Sequence, residues 1–136
     1  MNTEAREKFF NALLRRPSTA KQAREILERQ RVSDEDAERL IRKAEDMGLI
    51  DDEAFAKLFV DGHLSWGNLK ISHELSMRGV SCEAISTALD EAQSESERAR
   101  ELAESWRKGG VEDRKITARL MSRGFTSRAV REALHD

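Results

Sequence analysis

The sequence predicts an all-α protein: three tandem three-helix repeats forming an elongated, curved array. Three observations predict it. Helix formers fill the chain, with one Pro and seven Gly in 136 residues, so little interrupts a helix. Apolar residues recur at i, i+3, i+4 and i+7, the stripe of a helix with one buried face. Whole segments also recur about 45 residues apart, which marks a repeat architecture.

The elements follow in order. A helix over 4–16 carries Phe10, Leu13 and Leu14 and stops at Pro17. The second, over 19–31, carries Ala23 and Leu27. The third, over 34–47, follows the turn Arg31-Val32-Ser33 and carries Ala37, Leu40 and Ile41. In the next unit, the helix over 52–62 has Phe55, Leu58, Phe59 and Gly62 in its stripe. Helices over 68–78 and 82–92 flank the turn Arg78-Gly79-Val80-Ser81. The last unit repeats the scheme: 95–108 with Ala99, Leu102, Ala103 and Trp106, then 113–123 and 127–135 around Arg123-Gly124-Phe125-Thr126. The units are thus 1–50, 51–93 and 94–136. Each is too small to bury a good core alone, so neighbours are expected to support one another.

The turn between second and third helices has a physical logic. Gly79 and Gly124 sit where a helix ends in a left-handed residue, which Gly adopts without a Cβ penalty. Val80 and Phe125 then touch Leu75 and Leu120, and Ser81 and Thr126 cap the next helix. Val80 with Ile85, and Phe125 with Val130, form a hydrophobic staple. In the first unit Arg31 takes the glycine slot, at a cost of roughly 1 kcal/mol. Ser94 with Glu97 fits a capping box at the seventh helix.

The formal net charge of -2 hides a segregation. Residues 1–50 are close to neutral at +1, residues 51–97 carry -7 and residues 98–136 carry +4. Lys115, Arg119 and Arg123 recur at i, i+4 and i+8, in one row beside the Ile116–Leu120 stripe. Arg107 and Lys108 precede them, and Arg128 and Arg131 follow. The row is either a solvated helix face or an anion-facing patch for phosphates or an acidic protein surface. Trp106 lies on an apolar stripe and is expected in the core. Trp66, in the turn Ser65-Trp66-Gly67-Asn68, is either an interface anchor or a lid over the cleft between two units.

Other classes are excluded. No run of about 18 apolar residues exists, so no transmembrane helix is expected. Met1-Asn2-Thr3-Glu4 has no apolar h-region. The lone Cys82 excludes an internal disulfide and suits a reducing compartment. His73-Glu74 lacks the second His of a zinc-hydrolase helix, because Met77 holds that place. His63, His73 and Cys82 are too widely spaced for a structural zinc site. Asp51 and Asp52 before an apolar helix read as caps rather than metal ligands. No nucleophile–base set and no glycine-rich phosphate loop are present, so neither enzymatic activity nor a cofactor is expected.

One resemblance is specific. Gly48-Leu49-Ile50-Asp51-Asp52-Glu53-Ala54-Phe55-Ala56 resembles the signature segment of the RecX family, regulators of the RecA recombinase. Gly67, Ile71, Glu74-Leu75 and Arg78-Gly79-Val80 resemble its continuation. The resemblance covers the whole chain and is strongest in the middle unit. It implies a cytoplasmic, non-enzymatic modulator acting in DNA repair, recombination and the SOS response; a monomer is a separate expectation. Such a protein lodges on RecA filaments, meets single-stranded DNA mainly through the filament, and inhibits ATP hydrolysis, strand exchange and coprotease activity. Two departures stand out. The family tends to have basic residues where this chain has Asp61-Gly62-His63-Leu64-Ser65-Trp66, and a Pro where it has Asn68. Phosphate contact is therefore expected in the last unit, with the acidic middle unit facing basic recombinase surface. The alternative is a stand-alone helical nucleic-acid-binding module.

Overall fold

Helices start and stop where local capping chemistry places them. The computed structural model describes residues 3–135. Among them are α1 (Thr3–Arg15), α2 (Ala20–Arg29), α3 (Asp34–Asp46), α4 (Asp52–Asp61), α5 (Asn68–Met77), α6 (Cys82–Glu91), α7 (Glu95–Lys108), α8 (Asp113–Ser122) and α9 (Ser127–Leu134). Side chains of Ser33, Asp51, Ser81, Ser94 and Thr126 each accept from the amide three residues on, satisfying a donor the helix leaves orphaned. A complete capping box occurs at Thr19 and Gln22 instead of Ser94 and Glu97. At Ser94 only the hydroxyl half forms, because the Glu97 side chain stays exposed.

Each set of three helices encloses its own core. Phe9, Leu13, Leu27, Leu40 and Ile41 form the first. Val60, Ile71, Leu75 and Ile85 form the second, and Ile116, Leu120, Phe125 and Val130 the third. The accessible surface is 8653 Å², against about 7,200 Å² for a compact monomer of this mass. The array is accordingly elongated.

The apolar stripes differ from expectation in a consistent way. In α4 the buried positions are Ala56 and Val60. Phe55 and Phe59 are half-buried, and Leu58 is 63% exposed. In α7 Ala99 and Ala103 are buried, while Leu102 and Trp106 only edge the core. Helices α4 and α7 lie chiefly on α6 and α9. Close axial approach needs small side chains at the contact, so the large ones are displaced to its margins. In α1, which packs on α2, the buried face is Ala5, Phe9 and Leu13; Phe10 is half-buried and Leu14 is 68% exposed.

The interhelical turns form as the sequence predicts. Gly79 and Gly124 have φ of 88° and 86°. The amides of Val80 and Phe125 donate to Leu75 O and Leu120 O at 3.0 and 3.1 Å. Arg31 holds the same left-handed place at φ 58°, the sole non-glycine to do so among the described residues, and Val32 N donates to Leu27 O at 3.1 Å. Relief of that strain makes Arg31→Gly an expected gain of about 1 kcal/mol, offset in part by the freer unfolded chain. Thermal denaturation should show a midpoint a few degrees higher; an unchanged or lower midpoint would mean the turn is not strained.

Candidate functional site

The residues at the joints between units do two jobs, and acidic side chains lead. Asp51 caps α4 through Ala54 N at 3.1 Å. Asp52, one residue on, turns back and accepts from Ala20 N at 2.9 Å, so it caps α2 of the preceding unit. The Thr19 hydroxyl donates to Arg78 O at 2.6 Å and Lys21 Nζ to Met77 O at 3.1 Å. Gly79 lies against Lys21, where an added Cβ would sit 2.5 Å from the Lys21 Cβ.

The second joint repeats the device with a longer side chain. Glu95, the first residue of α7, accepts from Asn68 N at 2.7 Å and Thr126 N at 3.1 Å through one carboxylate oxygen. Its other oxygen accepts from the Thr126 hydroxyl at 2.7 Å. Gly67 N donates to Arg123 O at 2.8 Å and Leu69 N to Gly124 O at 3.0 Å. Arg98, only 3% exposed, fills the remaining space. It donates to Gln93 O at 2.7 Å, Asn68 Oδ1 at 2.8 Å, and Leu64 O and Trp66 O at 3.1 Å each. Burial pushes its guanidinium pKa down, and the nearby Glu95 carboxylate opposes that.

The signature residues are therefore largely architectural. Asp51, Asp52, Gly67 and Gly79 make caps and joints, as above. Ala56, Ile71 and Leu75 are buried. Glu74 pairs with Arg78 at 3.2 Å. Gly48 ends α3 in the left-handed region at φ 75°. Phe55, half-buried at the edge of the second core, and Arg78 line a groove between the first two units.

The expected basic surface is reorganised. Arg119 and Arg123 both lie over the Trp106 ring, at 5.3 and 5.2 Å, a cation–π distance. Trp106 packs against the edge of the third core and is only half-buried, so its open face serves as a platform. Arg123 is half-buried, so the row is not uniformly exposed, and its Nη1 donates to Ser65 O at 3.4 Å. Lys108, Lys115 and Arg131 are exposed. Arg107 is engaged by the Asp113 carboxylate at 3.0 and 3.2 Å and by Leu134 O, and Arg128 by Glu132 at 3.1 Å. Trp66 packs within its own unit, tilted against His63 at 4.2 Å and edge-on to Phe59 at 6.0 Å, under Lys70 Nζ at 4.1 Å. Cations and indoles thereby alternate from Lys70 and Trp66 to Arg123, Trp106 and Arg119. Among the described residues no three His, Cys, Asp or Glu gather to hold a metal, and no helix is long and apolar enough to cross a membrane.

Comparison with known proteins places this geometry. The chain is 33% identical to the regulatory protein RecX of Amycolatopsis mediterranei, with 92% of this chain and 74% of that protein covered. The chain belongs to the RecX family. It is also 30% identical to the regulatory protein RecX of Streptomyces coelicolor over 98% of this chain and 79% of that one. The family model for RecX, second three-helix domain, matches residues 51–89. In fold the chain matches the crystal structure of RecX from Lactobacillus salivarius with a TM-score of 0.80 at 22% identity, covering 98% of this chain and 96% of that one. In this RecX-family chain, Asn68 replaces the proline the resemblance leads one to expect. A proline there would lack both the amide that Glu95 accepts and the side-chain oxygen that Arg98 reaches. Sequence reasoning missed the joint residues Thr19, Glu95 and Arg98. A usable signal existed for the last: Arg98 stands four residues before Leu102, a cation in stripe register.

Proposed function

We propose that this protein regulates RecA-type recombinase filaments on single-stranded DNA, restraining ATP hydrolysis, strand exchange and coprotease activity without being an enzyme or needing a cofactor. Membership of the RecX family along nearly the whole chain carries this reading. The protein acts in the cytoplasm as a monomer, with 1–50, 51–93 and 94–136 as successive contact units. An elongated three-unit array supports the reading, because several weak contacts to neighbouring protomers combine when linked. The cation–indole face of the last unit, with Lys115 beside it, meets phosphate or an acidic protein surface, and the acidic middle unit meets basic recombinase. The direct test is DNA-dependent ATP hydrolysis by the recombinase with this protein titrated in. Inhibition at or below stoichiometric amounts is expected, and its absence would remove the proposal.

Reversing Lys115, Arg119 and Arg123 together to Glu is expected to leave helicity intact and weaken filament binding about tenfold or more, judged by the loss of several charge contacts. Equal affinity would reduce the row to a solvated face. The interleaved cations and indoles also favour a second reading, a stand-alone nucleic-acid module. That module would bind DNA with no recombinase present, with affinity falling steeply as salt rises.

A further inference from the structure

Helix α4 has two apolar faces: one is buried in the second core, and the other packs against that core only at its edge, through Phe55 and Phe59, leaving Leu58 exposed. Ala56 and Val60 face α6. Phe55, Leu58 and Phe59, the larger residues, line an open groove of about 620 Å³ between the first and second units. Ile26 of α2 lies across from them in the same groove. A leucine left mostly in water beside two half-covered phenylalanines is more than the isolated exposed apolar residue that any surface carries.

The rim of the groove is cationic. Arg16, Arg29 and Arg78 line it, against a single carboxylate, Glu25. Arg78 is already engaged by Glu74 and lies 4.9 Å over the Phe59 ring. Arg16 and Arg29 are exposed, and their guanidinium groups have no partner among the described residues. This concentration stands out because acidic residues outnumber basic ones in the chain and the middle unit is strongly negative. The two walls are also held in place: the Thr19–Arg78, Lys21–Met77 and Asp52–Ala20 hydrogen bonds clamp α2 to α4 and α5 at the groove's edge. A preformed groove loses less on binding than one that must be ordered.

We infer that this groove between the first two units is a docking site for an amphipathic helical segment of a partner protein, one whose apolar side chains are flanked by Asp or Glu. Phe55, Leu58, Phe59 and Ile26 receive its apolar anchors at i, i+3 or i+4 spacing. Arg16 and Arg29 form charge-assisted hydrogen bonds to its carboxylates. The site is separate from the cation–indole face, and the inference does not rest on the filament reading.

The test uses the full chain labelled with 15N and three synthetic peptides of about four helical turns. One has Leu at i, i+3, i+4 and i+7 with Glu on the flanks. The second has Lys in place of Glu, and the third has Ser in place of Leu. The first should bind and shift the amides of Ala12, Ile26 and Leu58, and the other two should bind at least about tenfold more weakly. Leu58→Glu and Arg29→Glu should each weaken the first peptide about tenfold. Both positions are exposed, so the variants should keep the parent's circular dichroism and melting. Equal binding of the Lys peptide, shifts away from the groove, or no binding by the Glu peptide overturns the inference. So does self-association of the chain that Leu58→Glu abolishes, since a second copy would then be the occupant. No recombinase or DNA is present, so a negative result here leaves the proposed function standing.

Discussion

Replacing Arg98 with Ala is expected to destabilise the protein by about 3 kcal/mol, since hydrogen bonds to a charged group contribute roughly 1.5–3 kcal/mol each and are not additive. The guanidinium is buried and satisfies Leu64 O, Trp66 O and Gln93 O together with the Asn68 side chain. Truncation leaves those acceptors desolvated with no donor. The loss falls at the joint between the second and third cores, so unfolding should also become less cooperative. Trp66 and Trp106 sit one in each of those units and serve as the fluorescence probes. Arg98→Lys is expected to recover little, because an ammonium cannot span four acceptors as a planar fork does. A Lys variant as stable as the parent would refute the fork as the cause.

Gly67→Ala carries a comparable expected loss, about 3–5 kcal/mol from overpacking plus broken backbone bonds. Gly67 has an ordinary extended conformation, φ -79°, so strain does not require glycine there. Space does: an added Cβ would sit 2.1 Å from Phe125 N and 2.2 Å from Gly124 C. Both are backbone atoms that cannot step aside. The start of α5 would have to withdraw, losing the Gly67–Arg123 and Leu69–Gly124 bonds. Gly48→Ala is the control, since its φ is 75° but nothing lies within 4 Å of the added Cβ. It should cost only the left-handed penalty of about 1–2 kcal/mol. Chemical denaturation of both variants decides the matter, and equal losses would show that crowding at Gly67 is unimportant.

The helices and their turns were legible because their determinants are local. A Ser or Thr cap, a glycine at the left-handed position and an apolar residue after it act within a few residues, and Arg31 shows that the register survives even when the glycine is missing. Asp51 caps the helix that follows it, as the sequence predicts, whereas Asp52 caps a helix of the preceding unit instead. Asp52 and Glu95 act on helices 32 and 27 residues away in the chain. The face of α4 was misread for a related reason. Periodicity reports that Phe55, Leu58 and Phe59 share a side of the helix, not that this side only edges its own core, through Phe55 and Phe59, and also lines an open groove. Likewise the spacing of Lys115, Arg119 and Arg123 placed them together but could not show that Trp106, from another helix, receives two of them.

The separation of the three cores has a thermal consequence. Apolar burial weakens on cooling, since its driving force near room temperature is entropic and carries a large heat-capacity change. The joints rest instead on the carboxylates of Asp52 and Glu95, the Thr19 hydroxyl, the Arg98 guanidinium and backbone amides. Cold therefore loosens the interior of each unit while leaving the couplings between units comparatively firm. On cooling, the relative orientation of the three units is set by the part of the structure that weakens least.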